Sequence, residues 1–187
     1  MTLDEIRVQI DAIDTEMKAL FLKRMECAKR VAETKAETGG DVFVPAREQA
    51  MVEKRAFDVE VVRDEYEAFL RHLISLSRRY QYGILTGMQD RVIEEELKKA
   101  GLEAAENHSQ IEIALTCSRE ASELNLYMNM IKLNGIILNQ LNLITEGNRQ
   151  KIVMLLEGSL KEENMRRLLC QLAKEADDFA VTALKER

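Results

Sequence analysis

Leu3, Ile6, Ile10, Ile13, Met17, Leu20, Cys27 and Val31 recur at spacings that alternate between three and four. This apolar stripe predicts one amphipathic helix over about 3–37, roughly 50 Å long and in need of a partner along its length. Arg24 occupies the stripe position between Leu20 and Cys27, and Lys35 lies three turns further along the same face. An unpaired buried guanidinium costs several kcal/mol, so Arg24 must reach water or an anion. Gly39 and Gly40 break the helix, and Pro45, the only proline, suits the first turn of a short helix ending near Ala56. A third helix carries Val62, Tyr66, Phe69, Leu70, Leu73, Ile74, Ser77 and Gln81 on one face and extends to about Thr86.

The period changes after Gly87. Residues 90–100 read as a charged helical connector closed by Gly101, with a loop over 104–109. Short apolar segments then predict strand 110–116, helix 118–133, strand 136–145, strand 150–156, helix 161–176 and strand 179–184. Asn134-Gly135 stops the first of these helices, and Glu146-Gly147-Asn148 makes a hairpin turn. The order βαββαβ predicts an α+β ferredoxin-like sandwich, two helices on one face of a four-stranded antiparallel sheet. The expected division is an all-α three-helix domain over 1–88, a connector over 89–108 and the α+β domain over 109–187.

At 187 residues and 46% apolar, the chain is long enough for such cores, while a formal charge of -6 argues against a nucleic-acid partner. The start has neither a basic nor an apolar leader region and no apolar run reaches the length of a membrane span, so a cytoplasmic protein is expected. Cys27, Cys117 and Cys170 are too scattered for a metal cluster and read as reduced, structural thiols. With only His72 and His108 beside them, a metal site has little to build on.

Cations set into a helical core suggest a grip on a small anion. Arg7 stands about 25 Å from Arg24 along a straight helix, too far to share one ligand within a chain. Two copies packed antiparallel about a two-fold axis bring Arg7 of one near Arg24 and Lys35 of the other, and bury the stripe as well. Singly, each position also has an ordinary reading: Arg7 a solvated helix-start residue, Arg24 snorkelling, Lys35 complementing the helix dipole, Arg47 and Glu48 in surface pairs, Ser77 and Gln81 a polar break.

Taken in register, Arg7, Arg24, Lys35, Arg47, Glu48, Ser77 and Gln81, with Ala12-Ile13-Asp14 and the Pro45-Ala46-Arg47-Glu48 helix start, resemble the all-helical chorismate mutases, the AroQ class. The resemblance covers about 3–86. It implies an intertwined homodimer and the cofactor-free Claisen rearrangement of chorismate to prephenate, in phenylalanine and tyrosine biosynthesis. It further implies that the partner's Arg7 and Arg24 hold the two substrate carboxylates and that Lys35 and Gln81 donate to the ether oxygen. Glu48 would accept from the ring hydroxyl, with Arg47 and Ser77 completing the wall. Val44 stands where the family usually carries aspartate, which removes an acceptor and a helix cap worth about 1 kcal/mol. Asp41 is the candidate substitute. Isochorismate pyruvate-lyase, or a non-catalytic partner of a shikimate-pathway enzyme, are alternatives that the same residues leave open.

The βαββαβ segment resembles an ACT domain, most closely over Asn134-Gly135-Ile136-Ile137-Leu138-Asn139. That implies an aromatic amino-acid effector, held near Ser118, Arg119, Ala121, Asn134 and Gly135. Arg119-Glu120-Ala121-Ser122 replaces the usual Pro-Gly-Ala-Leu, however, and a purely dimerising module is the competing reading.

Overall fold

The computed structural model describes residues 1–103, 107–119 and 123–186. Four helices come first: α1 (Leu3–Thr38), α2 (Pro45–Ala56), α3 (Arg63–Ile84) and α4 (Thr86–Ala100). The start of α1 is fixed by a reciprocal cap. The Glu5 N–H donates to the Thr2 hydroxyl at 3.2 Å and the Thr2 N–H donates to the Glu5 carboxylate at 2.7 Å. Its end is set by Gly39 at φ 75, a left-handed conformation that glycine adopts without strain, whose N–H closes on the Lys35 carbonyl at 2.8 Å. By contrast, Val44 stands at the N-cap of α2 with no side-chain cap, and Pro45 and the acidic Glu48 favour its first turn.

The third and fourth helices differ from expectation. Rather than running on to Thr86, α3 stops at Ile84, with Leu85 at φ -83, ψ 59 as a one-residue break. Gln89 folds back across that break and donates to the Tyr82 carbonyl at 2.6 Å. Gly87 lies inside α4. Within the expected connector, Val92, Ile93 and Leu97 are buried.

The α+β unit contains β1 (Gln110–Ser118), α5 (Glu123–Leu133), β2 (Ile137–Glu146), β3 (Arg149–Glu157), α6 (Glu163–Glu175) and β4 (Asp177–Lys185). The strands form one antiparallel sheet in the order β2-β3-β1-β4. This is the ferredoxin-like arrangement expected. Ser118, expected to open a helix, instead ends β1, paired with Arg149 of β3. Alternation puts Ile111, Ile113 and Leu115 of β1 on one face beside Ile152, Met154 and Leu156 of β3. Against that face pack Tyr127, Met130 and Ile131 of α5, Leu168, Leu169 and Leu172 of α6, and Ile93 and Leu97 of α4.

The two regions share a second core. Ala32 of α1, Tyr82 of α3, Leu85, Met88 and Val92 cluster with Cys170 of α6, so α6 belongs to both the sheet sandwich and the helical region. Burial pushes the Cys170 thiol up to about 12, which keeps it protonated and inert. Elsewhere α1 is poorly covered by its own chain: Leu3, Ile10, Ile13 and Leu20 are 50 to 64% exposed. Only Ala28 and Ala32 of this helix are buried. Among the described residues no helix is long and apolar enough to cross a membrane.

Candidate active site

A cavity of about 440 Å³ opens between α1, α2 and α3. Into it the structure brings Arg24 and Lys35 from α1, Val44 at the start of α2, Arg47 and Glu48 from its first turn, and Ser77 and Gln81 from α3. Helical spacing accounts for each grouping. Arg24 and Lys35 are three turns apart, and Ser77 and Gln81 one turn apart, so each pair shares a face.

Arg24 is half-buried between α1 and α3. Its Nη1 donates to the Ser77 hydroxyl and to the Leu73 carbonyl at 3.4 Å. Ser77 in turn donates to that same carbonyl at 3.1 Å. Lys35 Nζ reaches the Val42 carbonyl at 3.5 Å, a long contact that leaves its other protons toward the cavity. Gln81 is buried, and its Nε2 donates to the Ser77 carbonyl at 3.3 Å. Its Oε1 has no hydrogen-bond partner among the described residues.

The charge balance of the cavity is one-sided. Arg55, one turn beyond Met51 on α2, also lines it, so four cations face a single carboxylate, that of Glu48. Burial lowers the Arg24 pKa and the charge of Arg55 lowers it further. Burial likewise lowers Lys35, reinforced by Arg47 and opposed by Asp41 and Glu48. Both cations are thus in surroundings that favour shedding positive charge, and a bound dianion would relieve both.

Arg55 and Cys27 line the cavity in addition to the expected set. The signal for Arg55 was present: Val44, Glu48, Met51 and Arg55 follow at helical spacing on one face of α2. Cys27, expected to be structural, is a free, exposed thiol on the cavity wall. Arg78, also outside that set, donates to Glu48 from behind through its guanidinium.

Two expected residues lie elsewhere. Arg7 is exposed near the start of α1 and, among the described residues, pairs only with Asp4, at 3.1 Å. Asp41, considered as a substitute acceptor, turns toward α6, with its carboxylate 4.0 Å from Lys174, and does not line this cavity.

The residues expected around an effector are not brought together. Ser118 and Arg119 stand at the end of β1, where the Arg119 N–H donates to the Asn148 carbonyl at 3.0 Å. Asn134 and Gly135 follow the C-terminal end of α5, a helix about 16 Å long. There Asn134 is buried, and its Oδ1 accepts from Arg167 at 2.7 Å and from Arg79 of α3 at 3.3 Å. Its Nδ2 donates to the Met130 carbonyl at 2.8 Å, so its amide is committed to the structure. Ala121 lies outside the described residues.

Residues 6–82, which span all three walls of the cavity, match the family model of chorismate mutase type II. The match lies within the helical region and covers less than half of the chain. The chain is also similar to the T-protein of Haemophilus influenzae, 31% identical over 91 residues that make up 45% of this chain. It spans only 24% of that relative's length.

Proposed function

We propose that the chain is a chorismate mutase, an intramolecular isomerase of aromatic amino-acid biosynthesis that converts chorismate to prephenate. The observation that carries this reading is the cavity itself: four cations and a buried amide around one carboxylate, on a helical region that matches the family model of chorismate mutase type II. Chorismate is a dicarboxylate with a ring hydroxyl and an ether bridge. Its rearrangement is pericyclic, so the site has only to hold the enolpyruvyl arm over the ring and stabilise charge developing on the ether oxygen.

In this reading Arg24 holds one carboxylate, with its guanidinium kept in place by Ser77. Lys35 and Gln81 Nε2 aim at the ether oxygen, and Glu48 accepts from the ring hydroxyl. Arg47 closes the side toward α2, and Arg55 adds positive charge at that wall. Val44 supplies no acceptor, so Glu48 serves the hydroxyl by itself.

The second carboxylate falls to Arg7 of a partner subunit. An antiparallel dimer accounts for the unburied stripe of α1 and for an apolar groove lined by Met17, Leu20 and Phe21 of α1 with Phe69, Leu73 and Leu76 of α3. A second copy of α1 is the occupant that this groove fits. The division into a mutase domain over 1–88, a connector and an effector-sensing domain over 109–187, working in the cytoplasm, belongs to the same proposal. Aromatic amino acids are its proposed effectors.

The test is to incubate the purified chain with chorismate and with isochorismate and to identify the products. Prephenate from chorismate is expected. Release of pyruvate from isochorismate, without rearrangement of chorismate, would overturn the mutase reading in favour of a lyase. Calorimetric titration with phenylalanine, tyrosine and tryptophan tests the sensing role, which fails if none binds at millimolar concentration.

A further inference from the structure

A three-member charge chain is buried where the α+β unit meets the helical region. Arg78 follows Ser77 on α3, so its side chain leaves the helix on the flank next to the cavity wall. Its Nε donates to Glu175 Oε1, at the end of α6, at 2.8 Å, and its Nη1 donates to Glu48 Oε2. The side chains of Arg78 and Glu175 are 6% and 0% exposed. Gln171, one turn back on α6, donates to the same Glu175 oxygen at 3.1 Å. The Arg78 guanidinium also sits over the Phe43 ring, 4.8 Å from its centroid. Held on one face by the ring and on two edges by carboxylates, it has one available orientation.

The consequence falls on Glu48. A guanidinium offers a carboxylate two parallel donors, and the bidentate fork is its strongest pairing. Were Glu48 the only carboxylate within reach of Arg78, that fork would occupy both Glu48 oxygens and draw the group away from the cavity. Glu175 holds the Nε edge and thereby fixes the orientation of the guanidinium, which meets Glu48 through Nη1 and Oε2 alone and leaves Oε1 for a ligand. The arrangement also immobilises a side chain with three rotatable bonds before any ligand arrives.

We infer that Glu175 is a positioning residue for the cavity, acting through Arg78 to aim Glu48, so that the α+β unit helps shape a site it does not touch. The kinetic part of the test rests on the chorismate mutase reading. Movement of α6 relative to α3 would be felt at Glu48 directly, without passing along α4.

The test uses the full chain. Glu175→Leu keeps the bulk of the side chain but removes both the charge and the acceptor for Arg78 Nε. It should lower kcat/KM for chorismate by about ten- to a hundredfold. In a Glu48→Gln background the same substitution should change kcat/KM less than about twofold, because its target is already gone. Additive losses, with full cost in both backgrounds, would mean that Glu175 only holds the interface together. Arg78→Lys, which keeps the charge and loses the fork, should reproduce the loss and stands in if Glu175→Leu does not fold. Crystal structures of wild type and variant decide the point without turnover: Glu48 should rotate onto Arg78 with both oxygens, and an unmoved Glu48 overturns the inference. Should wild type leave chorismate untouched, the mutase reading fails, while the position of Glu48 in the two crystal structures still supports or overturns the role of Glu175.

Discussion

Arg24 donates to the hydroxyl of Ser77, 53 residues away in the chain. A cation within an apolar stripe is therefore answered by a neutral hydroxyl and a carbonyl rather than by a carboxylate. Hydrogen bonds orient the guanidinium while its charge stays uncompensated. An anion entering the cavity gains that charge without first displacing a resident acid, which is the arrangement a dicarboxylate site requires.

Replacing Lys35 by methionine should lower activity and raise stability together. Burial and Arg47 hold the folded pKa of Lys35 below its ordinary 10.5. Between those two values the unfolded chain binds more protons, so this group makes stability rise with pH there, and below the window the full penalty stands. At neutral pH the melting temperature of Lys35→Met should exceed wild type by roughly 1–3 °C, a gap that narrows as pH climbs through the alkaline window. Chorismate turnover should fall about 10²- to 10³-fold. Calorimetric melts and an absorbance assay check the two halves separately, and a less stable but active variant would contradict both.

Arg7→Ala and Arg24→Ala proteins should each be inactive and should recover activity when mixed. A heterodimer has one site with both arginines and one with neither. Random exchange then restores roughly a quarter of wild-type activity per mass of protein. Mass spectrometry of differently tagged chains confirms the exchange, and no recovery after it would place Arg7 outside the site.

Gln81→Glu should work only toward acid pH. The amide of Gln81 donates at any ordinary pH, whereas a glutamate must be protonated to donate to an ether oxygen. Wild type should hold its kcat between mildly acidic and neutral pH, while the variant loses at least about tenfold over the same range. A variant equally fast at both ends would remove the Gln81 donor from the mechanism.

Val44→Asp should help both fold and site. The N-terminus of α2 has no side-chain cap, and aspartate there accepts from a first-turn N–H for about 1 kcal/mol. Thermal melts should show a rise of roughly 2–4 °C. A second acceptor near Glu48 should also lower KM for chorismate about threefold or more. A variant with unchanged melting and kinetics would show that Val44 does not face the proposed hydroxyl position.

The amino-acid sequence by itself determined what repeats over short distances. The three-and-four stripe defined α1, the lone proline and glycine pair delimited α2, and the switch to short apolar runs marked the βαββαβ order. One-turn and three-turn spacings likewise placed Arg24 with Lys35 and Ser77 with Gln81, because helix geometry carries neighbours along one face whatever the rest of the chain does. Tertiary structure decided what depends on docking. Leu85 breaks the helix because Gln89 folds back onto the Tyr82 carbonyl, and α4 is buried because α6 and the sheet cover it. Asn134, which read as part of an effector loop, is taken up by Arg79 and Arg167. Arg78 meets Glu175 across 97 residues, and no periodicity in the chain records that meeting. A local pattern reports which face of an element is apolar; which charge on another element will stand opposite depends on how two faces pack, and only the folded chain fixes that.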